Sequence, residues 1–244
     1  MSMGRVLSFG RVDLHQIGRD PLLRIVPLAP LLLVLIVRAG VPPLAGWLAR
    51  SHSLDVTPLA PLAVAFLLLQ LIPYLFGTLI GLLLLEERDA GTLTALRVTP
   101  VPLRGYGAYR AGAATAATVV ALLVCLPSSG LLAVPLVRAL PAVGLAALAA
   151  PMWGLGLAAF AANKVEGFAA MKIASFTLLA PIAAWFTAPP WELAFGLSPT
   201  YWPAKALWQA QAGAAVWPYV LAGAAYHLAL LAWLAHHLHT RLTR

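Results

Sequence analysis

Long apolar runs broken by short polar intervals dominate this chain. Six runs, at about 22–39, 59–85, 106–126, 140–162, 171–188 and 216–236, lie near or above the roughly 20 residues a helix needs to cross a bilayer. None alternates with the period of two that barrel strands of about ten residues show. The pattern predicts an all-α integral membrane protein with a six-helix transmembrane domain over residues 21–244.

Residues 1–20 predict a different element. Arg5, Ser8, Arg11, His15 and Arg19 recur at helical spacing, with Met3, Val6, Leu7, Gly10, Leu14 and Ile17 opposite. Such an amphipathic helix lies in the inner headgroup layer, apolar side down. Asp20 can then cap the first span, with Pro21 at its first position. Arg24 and Arg38 bracket that span, Pro42–Pro43 are expected to end it, and Pro73, Pro151 and Pro181 to permit kinks in later spans. Before the last span, "PPWELAFGLSPTYWPAKALWQAQAGAAVWPY" holds four of the eight tryptophans, residues that favour the membrane interface. It predicts two short interfacial or re-entrant helices hinged near Ser198–Pro199. Trp191, Tyr201, Trp202 and Trp208 form a candidate outer gate, or else a simple anchoring belt.

Composition narrows the class. Only 10% of residues are charged, against about 25% in soluble domains, so this chain could not cover itself in water. The net charge of +8 is scattered between spans, which argues for membrane lipids rather than nucleic acid as its partner. Twelve Arg and Lys, Arg110 among them, share a side with the N-terminus and four, Lys205 among them, lie on the other. This excess places both termini in the cytoplasm of a multi-pass plasma-membrane protein.

Chemistry is sparse. Cys125 stands alone, His237 and His239 are too close to share a helix face, and no metal site is expected. P-loop, HExxH and GxSxG patterns are absent, and nothing pairs Ser129 with His227. No catalytic residue is therefore predicted. Within the second span, Gln70, Tyr74 and Thr78 make one polar stripe beside Gly77 and Gly81. Small and polar residues in that arrangement serve subunit packing or a translocation surface.

The interval "EERDAGTLTALRVTP" has a mechanical reading. Gly91 permits a sharp turn, Thr92 can cap a short helix, Leu93 and Leu96 share a face, and Pro100 ends it. One or two turns cannot stand alone, so this helix must dock on something. Glu87, Gly91, Thr92, Leu93, Leu96, Thr99 and Pro100 resemble the signature of the ABC-2 type (type V) permeases, membrane subunits of ABC exporters. "RDP" at 19–21 is similar to the family's motif leading into the first span. Family members often read Glu-Arg-Glu-x-Gly-Thr, where this chain has Glu86-Glu87-Arg88-Asp89-Ala90-Gly91-Thr92.

The resemblance implies that this loop is a coupling helix seated in a groove of a separate ATP-binding subunit, itself a dimer. Glu166 of the second inner loop "NKVEGFAAMK" is a further contact. ATP and Mg would be bound by that partner, with no cofactor in this chain. A second permease, identical or homologous, would complete the transporter. The chain also resembles small actinobacterial multidrug export permeases, including those assigned to fluoroquinolones. Other cargoes fitting the resemblance are a lipid or a glycan precursor. From other classes, a stand-alone secondary carrier or channel would want buried ionisable residues or an internal repeat, and an intramembrane enzyme would want a catalytic constellation.

Overall fold

The computed structural model describes residue 10 and residues 18–19, 24–91 and 103–243. Most of the amphipathic N-terminal segment and most of the expected coupling helix therefore lie outside the described residues.

Among the described residues, six helices are long and apolar enough to cross a membrane: span one Val26–His52, span two Thr57–Asp89, span three Gly105–Ser128, span four Leu136–Phe160, span five Lys164–Trp185 and span six Trp217–Arg241. The chain is a multi-pass, all-helical membrane protein. Span four is the axis, with 67% of its apolar window buried against 11% for span one and 17% for span six. Its sequence explains that position. Ala142, Ala146, Ala149, Ala150 and Gly154 are small and buried, and in lipid, where hydrophobicity does not drive helices together, small residues gain packing by letting backbones approach. A Cβ on Gly77 would meet the Ala150 carbonyl oxygen at 2.2 Å, and one on Gly81 would meet Leu157 at 2.8 Å. Spans two and four touch through these glycines.

The prolines behave differently from one another. Pro42 and Pro43 do not end the first span: its helix runs through both to His52 and stops at Ser53, which adopts the left-handed φ of 52°. Two prolines remove two amide donors, but Leu44 to His52 resume the ladder at once. Arg38 consequently sits within the helix instead of bracketing it, and donates to the Ser128 carbonyl 3.0 Å away. Pro73 follows a π-helical turn over Ala65–Gln70, a widening that accommodates a residue unable to donate. Pro181 follows a 3-10 turn over Phe176–Leu179 and opens the next helical segment, while Pro151 stays inside an unbroken helix.

Between spans five and six the chain re-enters the bundle. A 3-10 segment, Trp191–Leu197, descends and the helix Tyr201–Gln211 returns. At the hinge, the Thr200 carbonyl accepts from Gln70 Nε2 at 2.7 Å, roughly 20 Å along span two. The Ser198 and Thr200 hydroxyls both donate to the Thr177 carbonyl of span five. The hinge is therefore held deep in the bundle, between spans two and five.

Candidate functional site

At the end where span two finishes, four consecutive charged residues all have partners within the chain. Glu87 is buried and forms an ion pair with Arg110, itself 1% exposed, while Tyr106 donates its hydroxyl to the same carboxylate. Arg110 also donates Nε to the Tyr106 hydroxyl at 2.8 Å, and its guanidinium lies over the Tyr106 and Tyr109 rings at 5.1 and 5.9 Å. Arg88 donates to the carbonyls of Ala158 and Ala161 at the end of span four. Glu86 pairs with Lys164 at 3.3 Å, and Asp89 accepts from the Lys164 amide at 3.2 Å. Spans two, three, four and five are thus joined in a polar collar. Gly91, at φ +71°, turns the chain out of it.

Two residues expected to meet a partner protein have internal duties here. The carboxylate of Glu87 faces Arg110 and Tyr106. Glu166 closes a reciprocal cap at the start of span five, accepting from the Ala162 amide at 2.8 Å while its own amide donates to Asn163 Oδ1 at 2.9 Å. These carboxylates shape the base from which the loop springs. Thr92, Leu93, Leu96, Thr99 and Pro100 lie outside the described residues. Sequence reasoning took Arg110 as a flanking charge. The signal it missed is an arginine one turn after Tyr106 and next to Tyr109, inside a span, with an acid ending the span before.

The polar stripe of span two divides. Gln70, Gly77 and Gly81 are buried inside the chain at the hinge and against span four, so they serve packing within the bundle. Tyr74 and Thr78 line a cavity of about 400 Å³ bounded by spans two, four, five and six. Trp153, Phe160 and Trp233 supply aromatic wall, Met152 and Met171 adaptable wall. The Tyr74 hydroxyl donates to the Met171 carbonyl at 3.1 Å, and its ring meets Trp153 edge-on at 5.1 Å. Thr78 donates back to the Tyr74 carbonyl at 2.8 Å. Phe160, Ile173 and Trp233 are exposed on the outside of the bundle, so the cavity opens on its outer surface. His237 stacks on Phe160 and Trp233 at its edge, 5.3 and 5.8 Å between centroids. Cavities of ~300–1,000 Å³ with mostly apolar walls and few polar groups suit drug-sized molecules.

The aromatic residues of the cap also separate. Tyr201 is fully buried; Trp208 is buried, donates to the Pro61 carbonyl at 3.3 Å and packs edge-on against Trp185. Trp202 donates to the Gly196 carbonyl at 2.9 Å and presses on Gly223, where a Cβ would meet it at 2.7 Å. Trp191 alone of the four is exposed, at 75%. Three of the four wedge the cap into the bundle. His227, buried in span six, bonds to the Gly223 carbonyl, and the Ser129 hydroxyl bonds to the Leu126 carbonyl at 2.7 Å.

Residues 13–235 match the family model described as "Fluoroquinolones export permease protein Rv2686c-like". Two curated relatives from Mycobacterium tuberculosis carry the names fluoroquinolones export permease protein MT2760 (strain CDC 1551 / Oshkosh) and fluoroquinolones export permease protein Rv2686c (strain ATCC 25618 / H37Rv). Each is 39% identical over 226 residues, covering 92% of this chain and 90% of the relative. No solved structure matches the chain.

Proposed function

This chain belongs to the Rv2686c-like fluoroquinolone export permeases, and from that membership we propose that it exports planar, amphipathic drug molecules while a separate subunit hydrolyses ATP. The observation that carries the cargo half is the aromatic cavity beside Tyr74 and Thr78, open on the outer surface of the bundle. Its walls are mostly apolar, with polar groups few in number. It therefore selects a flat apolar body arriving from the bilayer, and its methionines tolerate variation in shape.

The energetic half rests on the loop and the collar. The loop from Gly91 to Pro100 is the coupling helix, docked on an ATP-binding subunit that holds ATP and Mg. The collar beneath it joins spans two, three, four and five, so a push on the loop reaches four spans together. Both termini and the collar face the cytoplasm, as the distribution of Arg and Lys favours. A second permease, identical or homologous, completes the transporter, and residues 1–20 lie along the inner leaflet.

The test is co-purification in detergent of the tagged chain with ATP-binding proteins of its own host. The native chain should bring down a P-loop ATPase and Gly91→Trp/Leu96→Asp should not, while both insert equally. Capture of no ATPase by either chain would move a stand-alone carrier to the front.

A further inference from the structure

The Ser198–Thr200 turn at the tip of the cap stands between two spaces. Pro199 lines the central cavity. The arms that meet at the turn line a separate cleft of about 340 Å³, which takes in Thr187, Pro189 and Ala212 at their remote ends. Hydrogen bonds hold the turn in place. Gln70 Nε2 donates to the Thr200 carbonyl at 2.7 Å, and the Thr200 and Ser198 hydroxyls donate to the Thr177 carbonyl at 2.6 and 3.2 Å. Both helices are irregular where they grip. Gln70 ends the π-helical stretch Ala65–Gln70 of span two, and Thr177 lies in the 3-10 stretch Phe176–Leu179 of span five. Such turns mark places where a helix can shift.

Span six closes a third side. Its Tyr226 donates to the Leu197 carbonyl, one residue before the turn, and the neighbouring His227 is fully buried. His227 Nδ1 lies 2.6 Å from the Gly223 carbonyl. A carbonyl only accepts, so the ring proton sits on Nδ1 and Nε2 is left as an acceptor. That Nε2 is buried with no hydrogen-bond partner among the described residues. The Pro199 carbonyl acts on the ring but has no proton to give. An unpaired buried acceptor is costly, and the donor next to Pro199 in the chain is the Ser198 hydroxyl.

We propose that the Ser198–Thr200 turn is a two-position gate between cavity and cleft. Closed, it is held by Gln70, with both hydroxyls on the Thr177 carbonyl. Open, the Ser198 hydroxyl donates to His227 Nε2 and draws the turn toward span six, away from Gln70. One donor is exchanged between two acceptors, so the closed position keeps the Gln70 bond and the open one gains a partner for His227. The gate rests on the reading of the central cavity as the cargo's, but its movement is measured without cargo or an ATP-binding partner.

The experiment is hydrogen–deuterium exchange of the full chain in nanodiscs. It reads opening at the amides of Ser198, Thr200 and Tyr201, with span four as the internal control of folding. Gln70→Leu removes a closed-state bond and should speed exchange at the turn about fivefold, as one hydrogen bond warrants. His227→Phe removes the open-state acceptor and should slow it about fivefold, whereas His227→Gln, whose carboxamide oxygen accepts, should restore the native rate. Ser198→Ala should also slow exchange, because Thr200 still holds Thr177 while the open position loses its donor. Adding His227→Phe to Ser198→Ala should then change nothing further. Faster exchange at the turn in His227→Phe and Ser198→Ala would make both residues ordinary fasteners and overturn the proposal, as would no change in either. Where Phe at 227 loosens span four as well, Ser198→Ala decides alone by the sign of its effect. The expected pattern in a chain that never transports would keep the gate while sinking the exporter reading.

Discussion

Two buried ion pairs near opposite ends of the bundle have the same chemistry and different surroundings. Glu87–Arg110 is shut in at 6% and 1% exposure, with Tyr106 bonded to the carboxylate and two rings beside the guanidinium. Glu192–Lys205 borders an open cleft and has one ring within reach of its cation. An enclosed pair ringed by polar and aromatic neighbours fixes helices relative to one another. A pair beside an opening can exchange partners with whatever enters. The collar is therefore a joint, while the cap pair sits at an opening.

Breaking the joint should have the largest effect. Arg110→Ala leaves a buried carboxylate without its counter-charge, which costs about 3–5 kcal/mol. Thermal unfolding in detergent should show it as a large fall in Tm, with Lys205→Ala falling less because Glu192 lines an open cleft. Next comes the contact between spans two and four. Gly77→Ile drives a side chain into the Ala150 carbonyl and should cost about 1–3 kcal/mol or more. By contrast Gly144, with nothing within 4 Å of its would-be Cβ, should accept alanine with a gain of up to ~1 kcal/mol from helix propensity. The same melting curves compare the two.

Smaller effects sharpen the contrast from the other side. Lys164→Ala breaks a pair whose side chains are 29% and 38% exposed, and should cost under ~1 kcal/mol. Smallest of all is Asp55, fully exposed between spans one and two. Hydrogen bonds from the Thr57 hydroxyl and amide hold its carboxyl below the ordinary value of 3.8. A depressed folded-state pKa contributes stability above the unfolded value, lost as pH falls through the folded one. Melting curves should therefore show the native chain slightly more stable than Asp55→Asn above the ordinary value of 3.8, with the difference shrinking as pH falls below it.

The fold was largely legible because apolar length is a direct signal of spanning, and the hinge at Ser198–Pro199 because tryptophans cluster around a turn. Pro42–Pro43 misled, since local backbone chemistry says stop while the apolar residues beyond them carry the helix on. In the stripe, residue type was readable and direction was not. Gln70, Tyr74, Gly77 and Thr78 share a helix, yet only packing decides that Gln70 meets the hinge and Tyr74 a cavity. Arg110 and Lys205 were counted as side-setting charges because pairing across distant segments leaves no local spacing to read.

The most direct measurement of the central claim is ATP-dependent movement of ciprofloxacin in proteoliposomes holding this chain and the ATP-binding subunit proposed for it. The account predicts accumulation on the side opposite the ATP-binding subunit, abolished by Gly91→Trp/Leu96→Asp in a chain that still binds the drug. Movement that persists without ATP or in that variant would contradict it.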